Sequence, residues 1–438
     1  MKETVIQFGE GNFLRGFFDC FLDVMNKSSV YDGKAVVIQP RAGGKCALLE
    51  KQGCKYNLYM RGIENGEIRE EHRLVESISR TVDPYKNFEA YMSLAYNPDF
   101  RFVVSNTTEA GIAFEDSCKF DDKPCKSFPG KLTQLLYKRY KNGLPGFVFL
   151  PCELIDNNGD ELKKCVVKYA QLWNLSEDFI AWINNENVFL NTLVDRIVTG
   201  YPSDGTEKLY PDDKFLDTSE VFHLWVIEGD YEKELPLKKA GFNVIWTDDV
   251  KPYKKIKVRI LNGAHTSLVA ASLLSGVETV GETMNDKNLS AYLGAVMNSE
   301  ILPTIGDNED SRKFAESVFD RFRNPFIKHK WRSIALNSIS KYSVRVLPTM
   351  LEYKEKNGKY PKYLPLSLSA LIYFYKNDTP EDSPETVRFV KNESISAILG
   401  NSALWGCDLS EMTEIVGAYY KKIEELGMRE TVKWILSE

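Results

Sequence analysis

The spacing of apolar positions divides the chain into two halves of different character. Thr4–Phe8 is an apolar run closed by Gly9-Glu10-Gly11 and followed by Phe13–Met25, where apolar residues recur largely at helical spacing. The pattern predicts strand, glycine turn, helix. Further runs at Lys34–Gln39, closed by Pro40, at Phe100–Ser105, closed by Asn106-Thr107-Thr108, and at Gly146–Leu150, closed by Pro151, predict three more strands. Helical patterns at Lys131–Lys141 and Glu161–Leu172 lie among them, the alternation expected of an α/β unit with a parallel sheet flanked by helices. The Pro- and Gly-containing segment Tyr201–Asp213 reads as a loop inside this unit.

Beyond about residue 250 the pattern becomes helical: Lys257–Leu274, Leu289–Met297, Ser311–Phe322, Leu366–Tyr375 and Glu411–Leu426. Asp408 with Glu411 predicts a capping box for the last of these, and Gly427 its end. The expected organisation is an α/β unit, 1–250, and a mostly α-helical unit, 251–438, divided at the Asp248–Pro252 turn.

Composition narrows the function classes. With 56 Lys plus Arg against 62 Asp plus Glu among 438 residues, the formal charge is −6, which supplies no general positive field for nucleic acid or an anionic membrane. No apolar stretch approaches the ~18 residues of a bilayer span. The first nine residues place an acid and a glycine where a secretory leader carries its apolar core, so a cytoplasmic protein is expected. The eight cysteines, Cys20, Cys46, Cys54, Cys118, Cys125, Cys152, Cys165 and Cys407, form no Cys-x-x-Cys pair, and the four histidines form no His-x-x-x-His pair. Reduced thiols and no dedicated metal site are the expectation. No stretch identifies itself as a subunit interface, so the oligomeric state stays open.

Two segments carry chemistry. A strand followed by Gly9-Glu10-Gly11 at a helix start exposes backbone N–H groups where a pyrophosphate can sit. The third glycine of the usual Gly-x-Gly-x-x-Gly is replaced by Leu14, with Gly16 two positions later, and an ordinary tight turn is the alternative. The second strand ends in Gln39-Pro40-Arg41 rather than an acid, which leaves NAD and NADP both open: Gln39 suits a ribose hydroxyl, Arg41 a 2′-phosphate or solvent. The second segment is Lys254–His265. As a regular helix it aligns Lys257, Leu261 and His265 on one stripe with Asn262 on the flank, Lys257 and His265 lying about 12 Å apart, the length of a polyol. Lys254, Lys255 and Arg259 would lower the pKa of Lys257, although such a basic run also reads as a solvated face.

Lys257-x-x-x-x-Asn262-Gly263-x-His265 resembles the Lys-x-x-x-x-Asn-x-x-His signature of the polyol-specific long-chain dehydrogenases, the mannitol dehydrogenase family. Gln7–Gly16 is similar to the family's N-terminal motif, and Asn106–Gly111, Asn158-Gly159, Val194–Ile197, Arg321–Pro325 and Leu347-Pro348-Thr349 match in order along the chain. Within the family, Gln7–Arg15 and Pro151–Gly159 are most similar to the branch acting on hexuronates. The resemblance implies an NAD-linked, metal-independent oxidoreductase interconverting tagaturonate and altronate, with a Rossmann-type dinucleotide-binding domain over 1–250 and a mostly α-helical substrate-binding and catalytic domain over 251–438. It implies that Gly9, Glu10, Gly11, Asn12, Phe13, Leu14, Arg15, Gln39 and Thr107 contact NAD. It makes Lys257 the general acid/base, Asn262 the donor to the developing alkoxide and His265 the group that orients a substrate hydroxyl.

Asn158 is expected to touch substrate, and Lys341 and Arg345 to hold the carboxylate of a sugar acid. Cys152-Glu153-Leu154 departs from the Cys-Asp-Asn segment in which mannitol 2-dehydrogenases carry a further oxyanion-binding asparagine. The alternatives are the same hydride chemistry on fructuronate, mannitol or mannitol 1-phosphate, or a dinucleotide-binding regulator without turnover. His223 and the Asp195–Arg196 pair read as scaffold.

Overall fold

The computed structural model describes all residues, Met1–Glu438, as two compact units: Met1–Arg61 with Ile68–Val250, and Lys251–Glu438 with Gly62–Glu67. The first is built on a six-stranded parallel sheet. Its strands are β1 (Lys2–Phe8), β2 (Gly33–Ile38), β3 (Ile78–Val82), β4 (Phe102–Ser105), β5 (Val148–Pro151) and β6 (Val188–Phe189), arranged β3-β2-β1-β4-β5-β6. This is the doubly wound Rossmann order, with its reversal between β1 and β4. Side chains alternate across the pleat. Ile6, Phe8, Val36, Ile38, Val103 and Phe149 enter one apolar cluster with helices Phe128–Lys141 and Asn158–Leu172, while Val5, Ala35, Phe102, Val104, Val148 and Leu150 enter another with helix Phe18–Lys27 and Trp225. Two three-stranded sheets accompany it, one joining Asp217–Ser219, Tyr56–Glu64 and Glu67–Val75, the other Val244–Thr247, Leu224–Glu228 and Thr192–Asp195.

The helix expected over Phe13–Met25 is two helices, Asn12–Arg15 and Phe18–Lys27. The break has a tertiary cause. The Arg15 carbonyl accepts from the Tyr56 hydroxyl at 2.8 Å and the Gly16 carbonyl from the Arg196 guanidinium at 2.8 Å. A Cβ at Gly16 would also lie 2.8 Å from a methyl of Val198.

The second unit is helical around one large apolar cluster. Helix Leu364–Asn377 runs through it, buried on nearly every side as its apolar composition requires, and packs against helices Gly263–Leu274 and Thr413–Leu426. The expected capping box at the latter does not form. Asp408 accepts from the backbone and hydroxyl of Ser410, and Glu411 instead pairs with Lys354 at 2.5 Å and accepts from the Tyr360 hydroxyl. Gly427, at φ +78°, ends that helix. No helix is long and apolar enough to cross a membrane.

Candidate functional site

The first unit carries a cavity of about 350 Å³ beside the carboxyl ends of β1 and β4, where the strand order reverses. Gly9–Leu14 form one wall, with Pro40–Arg41, Asn106–Thr108 and Lys126–Phe128 around them. Gly9 has φ +119°, and a Cβ there would lie 2.7 Å from the Asn106 carbonyl oxygen, so only glycine lets the β1 and β4 ends approach this closely. Gly11 has no atom within 4 Å of where its Cβ would be, which leaves its backbone open to an anionic group.

The wall is held from behind. Glu10 accepts from the Lys45 backbone at 3.1 Å, pinning the loop that follows β2. Asn106 donates to the Cys152 carbonyl at 2.8 Å, and the Thr107 backbone and hydroxyl both donate to Glu153 at 2.9 Å. Ser105 donates to the same carboxylate at 3.0 Å. Burial raises the pKa of Glu153, and these three donors oppose that rise. Glu153 thus fixes the β4 loop from within the fold, a role that its neighbours in sequence do not reveal. Thr108 has φ +75°, a strained conformation for a β-branched residue, and lies on the cavity wall. Nothing in the sequence marks that strain.

Not every expected cofactor residue faces this cavity. Arg15 is buried, donates to Asn12 at 2.6 Å, pairs with Asp217 at 3.4 Å and lies over the rings of Tyr56 and Phe215. It ties elements together and is no part of the wall. Gln39 is buried too. Its backbone N–H extends the sheet by bonding Val82 and its side chain packs against the position of Gly44, so Pro40 and Arg41, not Gln39, reach the cavity. Asn12, Phe13, Leu14 and Thr107 do line it.

In the second unit, the segment expected to be one regular helix is three pieces: an α-helix Lys251–Lys257, a π-helical turn Val258–Asn262 and an α-helix Gly263–Leu274. The wider turn, with its i→i+5 hydrogen bonds, shifts the faces of the residues in and after it away from those of a regular helix. Burial agrees: Ile260, Leu261 and Ala264 enter the apolar core, whereas Lys257, Asn262 and His265 are each half-buried. This corrects the expected stripe, in which Leu261 stood between the two polar groups. Two of the cations expected to depress Lys257 are already paired. Glu352 accepts from Lys255 at 3.0 Å and from Arg259 at 2.7 Å, and Arg259 also donates to Thr349.

His265 stacks on Phe322, with ring centroids 4.2 Å apart, and meets His329 and Trp331 edge-on. Burial, then His329, Arg321 and Arg345, hold its pKa well below the ordinary histidine value, so the imidazole is neutral near pH 7. Arg345 is half-buried beside this ring, and burial lowers its pKa as well. Lys341 donates to the Ile334 carbonyl at 3.0 Å, and its pKa is lowered by burial and by Arg345.

Asn158, expected at the substrate, is closed inside the first unit. Its amide donates to the carbonyls of Pro151, Glu153 and Thr192 and its oxygen accepts from the backbones of Gly159 and Thr192. With its donors and acceptor engaged, it clips the end of β5 to Thr192 and has no capacity left for a ligand. His223 bridges Val221 and Asn243, and burial depresses its pKa to about 4. Arg196 donates to the carbonyls of Glu220 and Gly16.

Comparison with known proteins gives a consistent result. The chain matches the model of the mannitol dehydrogenase Rossmann domain over residues 3–239 and that of the mannitol dehydrogenase C-terminal domain over 249–427. An altronate oxidoreductase of Bacillus subtilis (strain 168) is 42% identical over 455 residues, covering 98% of this chain and 95% of the relative. One from Phocaeicola vulgatus is 42% identical over 464 residues, covering 99% and 97%. Among solved structures, Pseudomonas fluorescens mannitol 2-dehydrogenase in a ternary complex with NAD and D-mannitol aligns over 100% of this chain and 95% of that one, with a TM-score of 0.73 and 24% identity. A substrate-free D-sorbitol dehydrogenase aligns over 99% and 95%, with a TM-score of 0.86 and 23% identity. These two share its fold.

Proposed function

Because this chain belongs to the mannitol dehydrogenase family and is an oxidoreductase, we propose that it interconverts tagaturonate and altronate with NAD(H). The substrate reading rests on relatives named altronate oxidoreductase that match over nearly the whole length. The observation that supports the chemistry is the π-turn Val258–Asn262 in the segment that carries Lys257, Asn262 and His265: Leu261 enters the core, the three polar residues are each half-buried, and His265 is kept neutral by burial and by charges that include Arg345. The open glycine backbone and the cavity it borders fit a pyrophosphate-bearing dinucleotide. When bound, the nicotinamide supplies or accepts the hydride.

The chain's own residues manage the proton and the charge. In reduction the Lys257 ammonium gives a proton to the ketone oxygen, and Asn262 donates a hydrogen bond to the same oxygen as negative charge develops. In oxidation the neutral amine takes the hydroxyl proton back. His265, being neutral, offers one donor and one acceptor to a neighbouring hydroxyl. Arg345 pairs with the substrate carboxylate, the group that separates a sugar acid from a polyol. Arg41 on the cavity wall favours a second reading in which NADP is the cofactor; fluorescence titration with NADH and NADPH discriminates the two.

The deciding experiment follows NADH oxidation with tagaturonate, fructuronate and fructose in parallel, for wild type and Lys257→Ala. Turnover on tagaturonate, reduced by about 10²–10⁴ in the variant with NADH binding retained, is expected. Turnover on fructose or fructuronate alone overturns the substrate, and an unimpaired variant overturns the role of the lysine.

A further inference from the structure

The long connection from β4 to helix Phe128–Lys141 contains a cluster that the oxidoreductase chemistry does not use. The sulfurs of Cys118 and Cys125 and a carboxylate oxygen of Asp122 all lie within 4.8 Å of one another. Both cysteines are buried and Asp122 is half-buried, so the cluster has a closed side and an open one. The loop is held in shape by its surroundings. Gln134 donates to the carbonyls of Phe120 and Asp122 at 2.9 and 2.8 Å, Trp173 donates to the Cys118 carbonyl at 3.0 Å, and the Lys131 ammonium to the Cys125 carbonyl at 2.8 Å. The Lys119 backbone N–H, donating to Asp122 at 2.8 Å, sets the direction of its carboxylate.

We infer that Cys118, Asp122 and Cys125 form a binding site for one thiophilic divalent cation of the zinc class, with a fourth position open to water. A tetrahedral ion with S and O ligands brings its ligand atoms to about 3.5–3.8 Å from one another, so closing the cluster requires shifts of about 1 Å. Three groups that are all anionic when deprotonated converge here. A divalent ion offsets the mutual repulsion of three such groups at this spacing.

On binding, each thiol releases its proton to solvent, and Cys125 gives up the bond it donates to the Lys119 carbonyl at 3.1 Å. Asp122 enters as the carboxylate. Two protons leave, no electron moves, and the site carries a net charge of −1. The ion is structural: Lys126–Phe128 follow Cys125 directly on the cavity wall, so the site braces the loop that forms it.

The test titrates Co²⁺ into the reduced, chelator-stripped full chain. Expected are one equivalent bound with intense tetrahedral ligand-field bands and sulfur-to-cobalt charge transfer, displacement by equimolar Zn²⁺, and release of two protons per ion. Cys118→Ser and Cys125→Ser abolish the charge transfer, whereas Cys407→Ser leaves it unchanged. Asp122→Asn, a change at a half-buried position that preserves the fold, weakens affinity about tenfold or more. Weak octahedral-type bands in the wild type, or full charge transfer persisting in both cluster cysteine variants, overturn the site. If the cysteine variants do not fold, undiminished affinity in Asp122→Asn overturns it as well.

Discussion

At the scale of single residues, identity alone does not separate a ligand-facing polar group from one that closes the fold; the partners do. Arg345 and Asn158, both expected at the substrate, are held in different ways. Arg345 is half-buried beside a histidine that its own charge helps keep neutral. Arg345→Met is expected to raise KM for tagaturonate about tenfold or more, the worth of a charge-assisted pair, and to leave any turnover of fructose unchanged; steady-state kinetics on both substrates checks it. Asn158 is enclosed by the backbone groups it satisfies. Asn158→Ala is expected to cost about 1–3 kcal/mol of stability by orphaning buried carbonyls and N–H groups, with KM unchanged in whatever protein stays folded; denaturant unfolding and kinetics on the same sample separate the two effects.

At the scale of elements, strands were more legible than helix ends. Each of β1, β2, β4 and β5 appears as an apolar run in the sequence, because both faces of this parallel sheet are covered and successive positions are then apolar. The strand Glu67–Val75 is not legible: it is charged and exposed along most of its length, as suits an edge, and carries no alternation. The capping box failed because Lys354 and Tyr360, far away in sequence, claim Glu411. The π-turn escaped detection because a one-residue widening leaves the apolar spacing on either side intact. The β1 turn is the element on which cofactor binding depends most directly. Gly9→Ala adds a side chain at φ +119° and sets it 2.7 Å from the Asn106 oxygen. It is expected to part the β1 and β4 ends and to weaken NADH binding at least tenfold, read by fluorescence titration, while far-ultraviolet circular dichroism stays near wild type.

At the scale of the molecule, the first unit carries a buried carboxylate pair whose titration bears on the stability of the fold. Asp19 accepts from Gln7 of β1 and from Tyr56 at 3.3 and 3.4 Å, and Asp217 pairs with Arg15. Burial is the largest cause of both shifts, raising Asp19 from 3.8 to about 7 and Asp217 to about 6. In the unfolded chain both titrate in the ordinary carboxyl range. Between about pH 4 and 7 the folded state therefore holds more protons than the unfolded one, and the contribution of this pair to stability falls as the pH rises through that window. Asp19→Asn is expected to flatten this dependence and to stabilise the protein at pH 8 by about 1–2 kcal/mol. Urea unfolding of both proteins at pH 5 and pH 8 checks it; equal loss of stability in variant and wild type between those values counts against the assignment.

What the sequence by itself determined was local and ordered: the succession of apolar runs and helical segments, the glycine turn after β1, and motifs spread along the chain in family order. These survive without knowledge of the fold because periodicity and short spacings are carried by neighbouring residues. Tertiary structure decided the rest. It set a π-turn between Lys257 and Gly263 and sent Leu261 into the core, enclosed Arg15, Gln39 and Asn158, set Glu153 behind Thr107, and gathered Cys118, Asp122 and Cys125. Each of these depends on backbone geometry or on partners distant along the chain, and burial, hydrogen-bond capacity and charge act on a side chain through those surroundings.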